Sequence, residues 1–229
     1  MTFDPTAATW LNEPTTAAVT PERVSITTDP GSDSWQRTYY GFRNDNAHAL
    51  LLEVAENFTL TVHVRFEYRT RFDQCGLAIY EESDHWFKAS VEYERPELSR
   101  LGSVVTNGGY SDWATVDIET PREIWYRLSR RGPDFLLERA LGAPGTDERD
   151  AADAPREGAS TELSFRQMRV FHLASLGETT TEMGRANPPL PPERPVHVGL
   201  YACSPLEGSF TAEFDSFVME PCRWEAHAE

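Results

Sequence analysis

"NFTLTVHVRFEYRT", residues 57–70, decides the fold. Phe58, Leu60, Val62, Val64, Phe66 and Tyr68 alternate with Thr59, Thr61, His63, Arg65, Glu67 and Arg69. Successive side chains of an extended chain point to opposite faces, so this run has one apolar face and one polar face. An unbroken period of two, carried by β-branched and aromatic residues, predicts a strand with one side buried.

Shorter runs of the same kind flank it near 24–28, 34–40, 48–54, 74–80, 86–94, 102–106, 113–118, 123–130, 133–139, 166–173, 196–202 and 209–219. Turn signals such as "TDPGSDS", "GFRND", "TNGGYSD" and "RRGPD" separate them. No amphipathic helix of three turns is readable. Strands joined by tight turns predict an all-β protein, two packed antiparallel sheets in a sandwich or jelly roll. Residues 1–229 are expected to form a single domain with its core at about 24–219. Two segments break the rhythm. "GAPGTDERDAADAPREGAST" (142–161) is acidic and almost free of large apolar groups, which predicts a mobile insertion. "LGETTTEMGRANPPLPPERP" (176–195) is rich in Pro and Thr and predicts an extended loop.

The formal charge of -16 argues against nucleic acid and against an anionic membrane surface, both of which would repel this chain. The only basic cluster, Arg127, Arg130 and Arg131, is small and set among acids. The N-terminal "MTFDPTAATWLNEP" has no basic and apolar regions of a signal peptide, and no stretch approaches the ~20 apolar residues of a membrane helix. Cys75, Cys203 and Cys222 are odd in number and widely spaced, neither a disulfide framework nor a zinc pattern. The expectation is a cytoplasmic protein with reduced thiols.

The chemistry concentrates in "WFKASVEYE", residues 86–94. Phe87, Ala89, Val91 and Tyr93 make a core face, and Lys88, Ser90, Glu92 and Glu94 make a polar row with next neighbours about 7 Å apart. The row is either a ligand face or the wet side of a sheet. As a ligand face it predicts that Glu92→Gln lowers the melting point by only a degree or two, because exposed charges contribute little to folding. The same change is expected to weaken ligand binding by about 1.5–3 kcal/mol. In "FDQCGLAIY", Gln74 and Tyr80 would flank Lys88 and Glu92 if the two strands pair. Gly76 and Ala78 between them either floor a groove or permit tight sheet packing. The loop "TNGGYSDW" offers Asn107, Asp112 and Trp113, where rings stack on sugar faces and polar groups bind hydroxyls. Its plainer reading is a hairpin with Asp112 bonded to the turn. Tyr40 and His48 are further candidates for a groove wall. Asp29 and Asp33 fit an Asx turn better than a calcium site, because the EF-hand spacing is missing. The histidines are scattered, Cys203 fits a small buried thiol, and no metal, phosphate loop or dinucleotide fingerprint is readable. No cofactor is expected.

From Trp35 to Met219 the order of motifs resembles the concanavalin A-like family that contains the regulation-of-enolase proteins. The motifs are "GSDSWQRTYYGF", "FDQCGLAIY", "WFKASVEYE", "GSVVTNGGYSDW", "FRQMRVFHL", "VGLYACSP" and "FTAEFDSFVM". The resemblance implies a jelly roll with one concave sheet and a connection to sugars, without an established activity. Three functions follow as expectations. One is a carbohydrate-related binding protein whose ligand, a sugar or sugar derivative, meets Gln74, Tyr80, Lys88, Ser90, Glu92, Asn107, Asp112, Trp113, Tyr40 and His48. Another is a carbohydrate-active enzyme with Glu92 as general base and Lys88 as its electrostatic partner. The last is an interaction protein that modulates a metabolic enzyme.

Overall fold

A computed structural model describes residues 2–142 and 163–226, so the insertion expected at 142–161 lies, beyond Gly142, outside the described residues. The strands in chain order begin with β1 (Thr9–Leu11), β2 (Thr16–Val19), β3 (Arg23–Thr27), β4 (Ser34–Gln36), β5 (Arg43–Asp45) and β6 (His48–Val54). There follow β7 (Phe58–Phe66), β8 (Gln74–Glu82), β9 (His85–Arg95), β10 (Leu98–Asn107) and β11 (Tyr110–Ile118). The series closes with β12 (Glu123–Arg131), β13 (Asp134–Leu141), β14 (Arg166–His172), β15 (Val196–Cys203) and β16 (Thr211–Pro221). Seven of them form a first sheet in the order β1-β6-β15-β8-β9-β10-β11, and seven a second in the order β14-β13-β12-β7-β16-β3-β2. Neighbouring strands in both sheets are antiparallel, as the expected sandwich requires.

The alternating run at 57–70 is β7, in the middle of the second sheet between β12 and β16. Its Phe58, Leu60, Val62 and Val64 are fully buried. They belong to one core with Leu77 and Ile79 of β8, Phe87 and Val91 of β9, and Val198 and Leu200 of β15. Each such side chain contributes about 1.5–3 kcal/mol by leaving water. That is why the inner faces are legible as period-two patterns.

Where the structure departs from the sequence reading, a tertiary contact is the reason. The strand expected over 34–40 stops at Gln36, because Arg37, Tyr39 and Gly41 take positive φ values of 55°, 65° and 76° and turn the chain back into β5. β1 and β2, unread in the sequence, are edge strands of three and four residues, too short to show alternation. The loop at 176–195 is not wholly extended: a short helix α1 (Thr181–Arg185) starts at Thr180, whose hydroxyl accepts from the Met183 amide. The basic cluster is internal. Arg127 makes two bonds to Glu138 at 2.7 and 2.8 Å. Arg130 is fully buried and donates to the carbonyls of Val54, Gly132 and Arg194. Arg131 donates to those of Met183, Ala186 and Trp224. Arg130 and Arg131 fasten the long loop, and Arg131 the C-terminal segment as well. Among the described residues no helix is long and apolar enough to cross a membrane.

Candidate functional site

On β9 the side chains divide as the alternation requires. Phe87, Ala89 and Val91 are completely buried in the core, and Lys88, Ser90, Glu92 and Glu94 face the other side of the first sheet. That side is not wet. Lys88 is only 5% exposed and Ser90 only 7%. Residues 29–47, which contain the β4–β5 hairpin, fold across the outer face of the sheet and cover it. Several bonds hold them there. The Gln36 amide donates to Ser111 Oγ at 2.9 Å, and Arg37 donates to the Gly109 carbonyl at 2.9 Å. Tyr80 donates to Asp45 at 2.9 Å.

The cover leaves a cavity of about 460 Å³. Its floor is polar, made by Gln74 of β8, by Lys88, Ser90, Glu92 and Glu94 of β9, and by Arg100 of β10. Its wall is aromatic: Trp35, Tyr40 and Phe42 come from the cover, Trp113 from β11 and Phe72 from the segment before β8. Trp35 meets Trp113 edge-on, with centroids 6.5 Å apart and planes at 88°. Tyr40 stacks on Phe42 at 5.2 Å. Gly102 lies under the Trp113 indole, where a Cβ would come within 2.9 Å of its Nε1. A glycine at this position is what lets the ring lie on the sheet.

The floor is wired into one network. Gln74 stands directly across from Glu92 in the β8–β9 register, and its Nε2 donates to Glu92 Oε2 at 2.9 Å and to the Phe72 carbonyl at 3.2 Å. Its Oε1 accepts from the Tyr201 hydroxyl at 3.1 Å, which fixes the amide orientation. Burial pushes the Glu92 carboxyl up to about 7; Lys88 and Arg100 pull against that shift, and Asp33 and Glu94 add to it. Lys88 Nζ lies 3.5 Å from Asp33 Oδ1. Burial disfavours its ammonium most, but Asp33, Cys203 and Glu92 together outweigh that and hold the group above the ordinary lysine value. Glu94 Oε2 accepts from Arg71 Nε at 2.8 Å, and its Oε1 lies in ion-pair range of Arg100 Nε at 2.9 Å.

Six of the ten candidates read from the sequence line this cavity: Gln74, Lys88, Ser90, Glu92, Trp113 and Tyr40. The other four lie elsewhere. Tyr80 is under the cover, bonded to Asp45. His48 bridges backbone, with Nδ1 2.7 Å from the Asn12 carbonyl oxygen and Nε2 accepting from the Asp29 amide at 3.0 Å. Asn107 ties the end of β10 to residues 172–174 through two backbone bonds of 2.9 Å. Asp112 is exposed and pairs with Arg169 rather than with its own turn. Gly76 serves packing and not a groove, because a Cβ there would stand 2.0 Å from the Ala89 carbonyl oxygen.

Asp33, Trp35, Phe42, Arg71, Phe72 and Arg100 join the site without having been read as ligand residues. Arg100 had a signal, since a hairpin of residues 86–107 places it across from Glu92, as the register shows. Asp33 had none beyond its turn: it accepts from the Ser34 amide at 2.8 Å and from Asn44 at 3.0 Å. Asp29 accepts from Thr15. Among the described residues no group of three His, Cys, Asp or Glu could hold a metal ion. Cys203 is fully buried, its thiol pushed well up by burial, as suits a packing residue.

Similarity to known proteins agrees with this architecture. The chain is similar to "Regulation of enolase protein 1" of Saccharomyces cerevisiae (strain ATCC 204508 / S288c), 37% identical over 122 residues. That match spans 53% of this chain and 61% of the relative, less than two thirds of its length. The crystal structure of a functionally unknown protein from Saccharomyces cerevisiae superposes with a TM-score of 0.71 at 24% identity, covering 96% of this chain and 98% of that one. A xylan beta-1,4-xylosidase from Bacillus Halodurans C-125 superposes with a TM-score of 0.55 at 12% identity, over 86% of this chain and 32% of that one; this likeness is one of fold. One family model, "Protein of unknown function (DUF1349)", matches residues 10–222, and the chain belongs to that family.

Proposed function

We propose that this protein binds a small polyhydroxylated ligand, a sugar or sugar derivative, in the cavity between the first sheet and residues 29–47. The observation that carries the reading is an aromatic wall, Trp35, Tyr40 and Trp113, facing a desolvated polar floor, Gln74, Lys88, Ser90 and Glu92. A pyranose presents the matching surfaces: C–H faces that stack on rings, and hydroxyls that need fixed donors and acceptors. The volume of about 460 Å³ lies in the range of small-molecule sites. The bonds from Tyr201 and to Phe72 and Glu92 hold the Gln74 amide in one orientation before any ligand arrives. Such preorganisation reduces the ordering cost of binding.

The test is a calorimetric screen of mono-, di- and acidic saccharides against the wild type, Trp113→Ala and Asp112→Ala. Binding should weaken at least tenfold in Trp113→Ala and stay within twofold in Asp112→Ala, whose side chain lies outside the cavity. A panel in which nothing binds, or in which Trp113→Ala binds as well as wild type, sinks the proposal.

A second reading is favoured by one observation, the Glu92 carboxyl raised to about 7. A group that titrates near neutrality is matched to proton transfer, so an enzyme acting on a carbohydrate with Glu92 as acid–base and Lys88 as electrostatic partner follows naturally. Its signature would be slow turnover of a bound saccharide, abolished in Glu92→Gln while affinity is kept.

A further inference from the structure

Arg71 and Arg100 enter the cavity from different elements yet form one unit around Glu94. Glu94 Oε2 is 2.8 Å from Arg71 Nε, and Oε1 is 2.9 Å from Arg100 Nε. Each guanidinium also lies over a ring: the Arg71 Cζ is 4.5 Å from the Phe72 centroid and the Arg100 Cζ 5.6 Å from the Trp113 centroid. A hydrogen bond to Glu94 and the Phe72 ring orient the Arg71 fork, while the Glu94 charge and the Trp113 ring orient that of Arg100. The terminal nitrogens of the two forks make no hydrogen bond among the described residues.

The charges around the cavity point the same way. Lys88, Arg71 and Arg100 stand among three carboxyl groups, Asp33, Glu92 and Glu94, and burial shifts Glu92 towards its neutral form. The lining thus gathers three cations at one place on a chain whose total is -16. Two arginine forks side by side match the oxygens of a carboxylate or phosphate.

We infer that the ligand of this cavity is an oxyanion-bearing sugar, a sugar acid or sugar phosphate, whose anionic group is read by the free N–H groups of Arg71 and Arg100. The inference rests on the sugar-binding reading above and adds its chemical class. The sugar ring would lie against Trp113 and Trp35, and the anionic group would extend to the arginine side of the cavity.

The experiment uses matched sets built on glucose and on galactose, each as the neutral sugar, the uronic acid and the 6-phosphate. Affinities are read by calorimetry for the wild type, Arg71→Gln, Arg100→Gln and the charge-keeping Arg100→Lys. Melting curves confirm that each variant is folded. An anionic member should bind at least tenfold tighter than its neutral partner. Each Gln variant should lose most of that preference, and Arg100→Lys should recover it only in part, because a point charge lacks the fork. Tighter uronate or tighter phosphate identifies which oxyanion is read. Equal affinities for neutral and anionic members overturn the inference and leave the sugar-binding reading standing. So does an anionic preference that survives both Gln substitutions. Failure of every member to bind overturns both.

Discussion

The Lys88 ammonium and the Asp33 carboxylate meet on the outer face of the first sheet, Nζ 3.5 Å from Oδ1, with side chains only 7% and 16% exposed. This contact joins a central strand to the segment that covers it. Breaking a buried pair from one side leaves an uncompensated charge, which typically costs about 3–5 kcal/mol, whereas removing both charges is often close to neutral. Asp33→Asn should therefore lower the urea-unfolding free energy at pH 7 by about 3 kcal/mol or more, and adding Lys88→Met should restore most of it. The Lys88 value is raised in the fold, so the pair's stabilisation is complete below the ordinary 10.5 and fades only as pH climbs through the higher folded value. Its contribution should be flat from pH 6 to 9. A loss under about 1 kcal/mol in Asp33→Asn would show that the cover is not held this way.

Glu92 has the opposite sign. Its carboxyl moves from an ordinary 4.5 to about 7 on folding, chiefly by burial. Between those values the folded chain binds the proton more tightly than the unfolded chain, so stability falls as pH rises through the window and stays lower above it. Glu92→Gln removes the penalty and can still accept from Gln74. The variant should match wild type at pH 4 and be the more stable at pH 8, by up to roughly 3 kcal/mol. This reverses the small loss expected of an exposed charge. Denaturant titrations at the two pH values decide it, and a variant less stable at pH 8 would mean that Glu92 is ionised and well paired.

The contrast shows which part of the site was legible. Alternation is local, so β7 and the two faces of β9 follow from a few residues read in order. Coverage is not local. Whether Lys88, Ser90 and Glu92 face water depends on residues 29–47, and those lie across the sheet because Arg37, Tyr39 and Gly41 turn the chain where an apolar-aromatic run suggested a strand. Trp113 could be placed because it lies on the strand that follows a Gly-Gly turn. His48 and Asn107 misled for a common reason: both resemble ligand groups, but their polar atoms are taken by distant backbone. Nothing in a pattern marks that.

The core holds one polar atom that no pattern would reveal. Tyr126 on β12 is fully buried, and its hydroxyl has no hydrogen-bond partner among the described residues. An unsatisfied buried hydroxyl costs about 1–3 kcal/mol, and deleting it keeps the ring and its packing against Gly76. Tyr126→Phe should raise stability by about 1 kcal/mol, or about 2–4 °C in melting temperature for a chain of this size. A lower melting temperature would reveal an ordered water bound to that hydroxyl.

The cysteines offer a probe of the cover itself. All three are free; Cys75 and Cys203 are buried, and Cys222 is only partly so. Burial raises each thiol above its ordinary value, which suppresses the reactive thiolate. At pH 8 a thiol reagent should modify Cys222 first and slowly, and all three thiols should titrate under denaturant without reductant. Cys203 sits in a small cluster with Ala49, Ala78 and Tyr201 on the same side of the sheet as Lys88. Its reaction in the native state therefore requires the segment at 29–47 to lift, whereas Cys75, in the main core, requires the sheets to part. Asp33→Asn, which loosens the cover, should speed modification of Cys203 at least tenfold and leave Cys75 nearly unchanged, both read by mass spectrometry of quenched samples. Equal acceleration of the two would mean that the cover and the core open together, and that Lys88 and Asp33 stabilise the whole sandwich rather than its lid.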